Sequence, residues 1–498
     1  MNRIQGIGTA RQCRMVAGAC LALLAPVAGP LCAQISAGEY AERRGALARE
    51  VDDGLILAVG SVQPPEDYIN FYQNSPFRYL TGFLEPDAAL IALAERGEIV
   101  WERLFVNPRS PADETWEGYR VGPGGTMRTA GLPGRSTGEL EAVLDSLIGE
   151  GWDTVHLATG YDASSPVRDD ITQRVDQLLE GHTGLEVETV APVVGELRGV
   201  KSEAELALIR RAAAITTEAQ RELMGALAPG MNEFELQAVI EYTFRRYGAE
   251  RPAFASIVGS GPNSTVLHYN ANDRFTEDGD VIVVDIGASY GGYAADITRT
   301  VPVSGRFSPE QRELYQLVRD AQTVAEEMAA PGISRNAMGR AAAEVLAEGL
   351  ARLGLIESPF ASYDDELGRE LPQYFLYYMH ALGHGLGLDV HDPWPAVMEP
   401  GVALTIEPGV YIRPNLLTEV IPDVPANRAM RDAIRPAFEQ YVGIGIRIED
   451  DYIITGGGVE RISSAPREIE EIETLMAGPW QAPAPRNPEW VEWYRAMP

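Results

Sequence analysis

Five side chains able to bind a cation stand in stretches that otherwise read as apolar core. Asp285 interrupts the run Val281–Ile286, and Asp296 precedes the β-branched run Ile297–Val301. Glycines between Gly287 and Gly292 mark a turn, so the two runs read as a β-hairpin. With the turn centred between Tyr290 and Gly291, Asp285 falls directly opposite Asp296. Like charges in that position destabilise a ladder, and an unpaired carboxylate in an apolar strand is costly. A bound cation resolves both problems. His384 lies in a glycine-rich apolar segment with His380 and His391 around it and glycines at 383, 385 and 387. Those glycines argue against a helix and for a close approach of backbone to something. Glu407 ends an apolar run stopped by Pro408, and Glu449 ends Val442–Ile448. Alternation in that last run places Gly443, Gly445, Arg447 and Glu449 on one face, with room for a substrate.

Four carboxylates and an imidazole make an oxygen-rich metal site. One divalent ion leaves two negative charges in excess, and two ions balance the set. Carboxylate-plus-imidazole ligation suits Mn²⁺, Zn²⁺, Fe²⁺ or Co²⁺. Two such ions a few Å apart, roughly 3.5–4 Å, typically hold a bridging water or hydroxide as nucleophile.

Other chemistries are excluded or weak. The chain holds one lysine, Lys201, against 40 arginines. A phosphate loop ending in Gly-Lys-Ser/Thr is therefore absent, and a Schiff-base mechanism would have to rest on Lys201 alone. Gly287-Ala288-Ser289-Tyr290-Gly291 matches the Gly-x-Ser-x-Gly elbow, but that elbow needs a helix directly after its serine, and strand-like residues follow here. His156 and His182 are isolated and read as structural. A net charge of −31, from 41 basic and 72 acidic residues, opposes binding to nucleic acid or anionic lipid.

The elements that would position these residues fall into two domains. Residues 34–195 read as an N-terminal α/β domain, with strands at Leu55–Gly60, Ala88–Ala94 and Leu104–Asn107 and a helix over Gly138–Gly149. Residues 196–478 read as an α+β domain. Its helices open at the capping signals Ser202/Glu205, Asn232/Glu235 and Ser308/Gln311. Residues 479–498 are a Pro- and Trp-rich tail. Residues 1–33 resemble a signal peptide: Arg3, Arg11 and Arg14, an apolar stretch, then Leu31-Cys32-Ala33. Cleavage after Ala33 removes Cys13, Cys20 and Cys32, the only cysteines, and predicts a periplasmic or secreted protein without membrane insertion.

The order Asp285, Asp296, His384, Glu407, Glu449 resembles that of the pita-bread metallopeptidases. Gly259–Gly261 with Leu267-His268-Tyr269, the run His384–Asp392, Thr405–Gly409 and Gly443–Asp450 are similar to aminopeptidase P and prolidase. Tyr72–Phe83 resembles the aminopeptidase P N-terminal domain. The resemblance covers about residues 40–475. It implies an Xaa-Pro aminopeptidase holding two divalent ions, Mn²⁺ first among them, as a homodimer or homotetramer. Prolidase, restricted to dipeptides, is the alternative. By the same resemblance Asp285 binds the second ion, Asp296 and Glu449 bridge both, and His384 and Glu407 bind the first. Glu407 also handles the proton of the attacking water. His391 steadies the substrate carbonyl, His268 and His380 line the substrate site, and Arg447 and Tyr411 form an outer shell. The stretch Asn415–Glu439 reads as a polar insert longer than the family spacing, able to reshape the cleft rim.

Overall fold

A computed structural model describes residues 35–65, 70–159 and 169–480. The expected signal peptide and nearly all of the tail lie outside the described residues. The described residues pack as one unit. No described helix is long and apolar enough to cross a membrane.

The N-terminal lobe is built on one six-stranded mixed sheet. Its strands are β1 (Gly54–Val59), β2 (Ala89–Glu95), β3 (Glu98–Val106), β4 (Gly134–Ser136), β5 (Thr154–Leu157) and β6 (Glu186–Thr189), in the spatial order β4-β3-β2-β1-β5-β6. Strand β3 begins six residues before the expected Leu104. Period-2 alternation sorts β1 between two cores. Leu55, Leu57 and Val59 enter a small cluster under the helices Leu140–Gly149 and Asp170–Leu179, whereas Ile56 and Ala58 join the large core that continues into the C-terminal lobe. His156 and His182 are structural as expected. His156 is fully buried between Asp52 O and Glu188, and His182 lies 3.1 Å from Asp145. The residue-196 boundary falls inside the helix Ala191–Gly199, which carries the chain from one lobe into the other.

The C-terminal lobe mixes helices with short sheets, the α+β pattern expected. Strands β7 (Arg251–Pro252), β8 (Ile257–Ser260), β9 (Val281–Ile286), β10 (Ala288–Tyr290), β11 (Tyr293–Ala294) and β12 (Ile297–Pro302) form two three-stranded sheets, β11-β10-β7 and β12-β9-β8. After a small hairpin, β13 (Ser362–Asp364) with β14 (Glu370–Pro372), come β15 (Ala403–Ile406), β16 (Gly409–Tyr411), β17 (Gly445–Arg447), β18 (Asp450–Thr455) and β19 (Gly458–Arg461). These pair as β15-β18-β19 and β16-β17. The three expected capping boxes all form, opening the helices Glu203–Ala226, Glu233–Arg246 and Pro309–Met328.

Two glutamines repeat one device in the two halves of this lobe. Gln220 Nε2, from the helix Glu203–Ala226, donates to Val284 O at 3.0 Å and Ile297 O at 2.8 Å. Gln322 Nε2, from Pro309–Met328, donates to Ile406 O at 3.2 Å and Ile448 O at 3.3 Å. Both glutamines are fully buried. Each bridges two strand ends where the neighbouring residue is one of the expected acidic ligands.

One expectation is corrected. The hairpin turns on Gly291-Gly292, both at positive φ (59° and 82°), so Tyr290 pairs with Tyr293. Each partner is therefore shifted by two residues, and Asp285 faces Thr298, not Asp296. Asp296 lies just outside the ladder, ahead of β12. The stretch 415–439, read as a polar insert, is mostly the helix Pro425–Tyr441, anchored by buried Met430, Ile434 and Phe438. Ser289 sits within β10 opposite Ala294, with the hairpin turn close behind it, so no nucleophile elbow forms.

Candidate active site

The five expected ligands arrive from five places in the C-terminal lobe. Asp285 comes from β9, Asp296 from the step before β12, His384 from the loop that follows Tyr378, and Glu407 and Glu449 from the ends of β15 and β17. They line one cavity of about 320 Å³ together with His268, His380, His391 and Arg447. Tyr411 is fully buried behind its wall.

Asp296, His384 and Glu449 each offer a ligand atom within 4.8 Å of the others. His384 Nε2 stands 3.5 Å from Asp296 Oδ2, 3.5 Å from Glu407 Oε1 and 3.9 Å from Glu449 Oε1. Its Nδ1–H donates to Gly385 O at 3.0 Å, which leaves the Nε2 lone pair facing three carboxylates. Asp285 Oδ1, Asp296 Oδ1 and Glu449 Oε1 are buried without a hydrogen-bond partner. A lone pair beside buried carboxylate oxygens without partners is costly unless protons or a cation share the site. The residues present therefore fit a divalent metal centre.

The protonation balance carries the same signature. Burial, then Glu449 and Asp285, push the Asp296 carboxyl well above the usual carboxylate range. Burial and Glu449 do the same to Glu407. Burial lowers His384 to about 4, keeping its ring neutral and able to coordinate.

Behind the acids lies a directed chain of hydrogen bonds. Arg447 Nη2 donates to Asp285 Oδ2 at 2.7 Å, and Nη1 donates to Tyr411 OH at 2.9 Å. The Tyr411 hydroxyl lies 2.8 Å from His380 Nε2, and His380 Nδ1 lies 2.8 Å from Ala381 O. The carbonyl can only accept, so His380 Nδ1 carries a proton and Nε2 accepts from Tyr411. Burial, then Arg447, lowers His380 to about 4, consistent with a neutral ring.

Sequence reasoning missed the partners that fix the ligands. Thr298 Oγ1 donates to Glu449 Oε2 at 2.6 Å. Asp451 accepts from Asp296 N at 3.2 Å on both oxygens. Thr405 Oγ1 accepts from His384 N at 3.2 Å. Arg299, wholly buried, donates to Glu449 O at 2.6 Å and Asp450 Oδ1 at 2.6 Å. Thr298 and Thr405 each lie two positions from a candidate ligand, a spacing that could have marked them. Asp451 and Arg299 carry no such local signal.

Buried carboxylates converging on one imidazole, in an α+β lobe preceded by a mixed-sheet lobe, define a metallopeptidase of the pita-bread class. The chain belongs to metallopeptidase family M24, whose model matches residues 207–456, and residues 40–156 match the aminopeptidase P N-terminal domain. It is 36% identical to Xaa-Pro aminopeptidase of Escherichia coli, over 89% of this chain and 98% of that one. It is 31% identical to Xaa-Pro dipeptidase of Homo sapiens, over 86% and 90% of the two chains. Zinc-substituted E. coli aminopeptidase P in complex with product superposes with a TM-score of 0.75 at 33% identity, covering 89% of this chain and 98% of that one. The chain is thus a metalloaminopeptidase, a hydrolase.

Proposed function

We propose that this protein releases the N-terminal residue from peptides whose second residue is proline, using two divalent cations. The observation that carries this reading is the set of unpartnered buried oxygens on Asp285, Asp296 and Glu449, residues that line one cavity with His384, Glu407, three further histidines and Arg447. Asp285, Asp296, His384, Glu407 and Glu449 would hold the ions, with Mn²⁺ as the first choice. When bound, the ions supply Lewis acidity to the amide carbonyl and acidity to a water.

The chain's own residues do the rest. Glu407, its carboxyl raised by burial, accepts a proton from the attacking water and returns it to the leaving nitrogen of proline. His391, with its ring centroid 4.1 Å from that of His384, donates to the carbonyl oxygen as negative charge grows there. His268 and His380 flank the substrate, and Arg447 with Tyr411 holds Asp285 and His380 in place. A neighbouring cavity of about 230 Å³, lined by Phe254, Ile257 and Val390 beside His268 and His391, offers apolar room for a substrate side chain or the proline ring.

The arginine of the metal-site cavity is already engaged, which supports an aminopeptidase over a dipeptidase, while Arg335 and Arg340 line an adjoining cavity that shares His380, Ala381 and Gly383. A dipeptidase must hold the free carboxylate of the proline. Among the described residues lining these two cavities the only arginine is Arg447, already engaged by Asp285 and Tyr411. Arg428 and Arg431 of the inserted helix pair with Asp423, and Arg435 lies 4.0 Å from Asp432. Peptides Xaa-Pro-Yaa, Xaa-Pro and Xaa-Ala-Yaa, assayed with and without added Mn²⁺, test this reading. The tripeptide with proline should show the highest kcat/KM. A tenfold preference for the dipeptide reassigns the enzyme to prolidase, and equal cleavage of the alanine peptide defeats both. We also propose export with cleavage after Ala33, and intact-mass analysis from the native host should find Gln34 as the first residue.

A further inference from the structure

Lys201, the chain's one lysine, is not a surface residue. Its side chain is 1% exposed, and Nζ lies 2.9 Å from Asp392 Oδ2, whose side chain is equally buried. Arg198, from the last turn of the helix joining the lobes, donates to Asp392 Oδ1 and, at 2.6 Å, to Asp389 Oδ2. Ser75 of the N-terminal lobe donates to Asp389 Oδ1 at 2.6 Å. Two cations and two carboxylates thus form a charge-balanced cluster, buried at its Asp392 end.

This cluster closes the loop that carries His384 and His391. Asp392 N donates to Gly385 O at 2.9 Å, and Asp392 Oδ1 accepts from Asp389 N at 3.1 Å. A Cβ at Gly385 would lie 2.4 Å from Asp392 O, and one at Gly387 would lie 2.5 Å from Asp392 Oδ2. The glycines therefore let the loop fold tightly onto Asp392. His384 stands before this knot, and His391 is bonded directly to the residue that Lys201 and Arg198 hold.

We infer that Lys201, together with Arg198, is a positioning residue for His391: it fixes Asp392 and so the place from which His391 addresses the substrate carbonyl. Lysine suits the task because it delivers a compact charge from a connector whose backbone also bonds the turn ahead of β15, Lys201 N donating to Gly401 O at 2.9 Å. The proposal rests on the role given to His391 above.

A double-mutant cycle on the metal-loaded full chain tests it. The four proteins are wild type, Lys201→Met, His391→Ala and the double variant, each read for kcat, KM, bound metal and Tm. His391→Ala should lower kcat by about 10²-fold. Lys201→Met should lower kcat by about 10-fold, the scale of losing an outer-shell partner, with KM and metal content unchanged. In the His391→Ala background the same lysine change should cost less than about twofold, because the group it acts through is gone. Equal losses in both backgrounds, or a loss that follows metal content, overturn the proposal and reduce the cluster to a clamp between lobes. If His391→Ala leaves kcat intact, the catalytic reading of His391 fails first and the inference falls with it. Should Lys201→Met not accumulate as folded protein, Lys201→Gln runs through the same cycle.

Discussion

Asp296 concentrates the electrostatic problem of this site in one side chain. Its Oδ1 has no partner, its backbone N–H is tied to Asp451, and Glu449, Asp285 and Glu407 surround it. Asp296→Asn keeps the shape and removes a charge, so metal analysis after dialysis should fall below two ions per chain, with turnover nearly lost. Full activity of that variant in metal-free buffer contradicts the two-ion reading. The titrating groups also predict how the metal-free protein responds to pH. The Glu449 carboxyl is pushed up to about 8, chiefly by burial and then by Asp285, from an ordinary 4.5. The folded state therefore keeps a proton that the unfolded chain has already lost, and stability falls as pH rises between those values. His380 and His384, lowered from 6.5 to about 4 by burial, act oppositely: their contribution rises up to about pH 6.5 and is flat above it. From pH 6.5 to 8 only the acids still change. Calorimetry of chelator-dialysed protein should show a Tm that falls across this window, by an amount set by about 1.4 kcal/mol per pH unit for each retained proton. Added divalent ions should raise Tm more at pH 8 than at pH 6.5, because they replace the protons. A metal-free Tm that climbs from pH 6.5 to 8 would refute the assignment.

At the scale of elements, helices set the spacing of the acids through the paired glutamines. The bonds of Gln220 to Val284 and Ile297 join the strand ends of Asp285 and Asp296, and those of Gln322 to Ile406 and Ile448 join the strand ends of Glu407 and Glu449. Gln220→Leu removes two buried hydrogen bonds, worth about 1 kcal/mol each. Chemical denaturation should show that loss, and competition titration should show weaker metal binding. Unchanged affinity would confine Gln220 to a stabilising role. These glutamines were not legible in the sequence, since a Gln on a helix face carries no sign of a partner some 60 to 130 positions away. The same holds for Asp451 and Arg299. What was legible is local: capping residues three apart, apolar alternation, and acids misplaced in apolar runs. The hairpin register was misread for a local reason as well. Tyr290-Gly291 and Gly291-Gly292 are both plausible turn centres, and only the second places glycine at both positions of positive φ. Asp285 and Asp296 still come together, because Asp296 leaves the ladder before β12 instead of pairing within it.

On the scale of the whole molecule, the N-terminal lobe holds parts of the other lobe in place. Its alternating β1 residues feed the core of the C-terminal lobe. Ser75 reaches Asp389, and Arg78 Nη2 donates to Gly291 O at 2.6 Å in the β10–β11 turn. The site loop and the turn of the acid-bearing hairpin are thus both held from the other lobe. The connector between the lobes holds the chain's one lysine, sealed from solvent. A protease that cuts only after lysine consequently has a single target in the full chain, and it is hidden for as long as the two lobes stay docked. Such an enzyme should leave the native protein whole and sever it once, at the junction, in every molecule that opens. The appearance of that one cut, followed against time or denaturant, reads out opening of the interlobe joint without a label or an introduced residue.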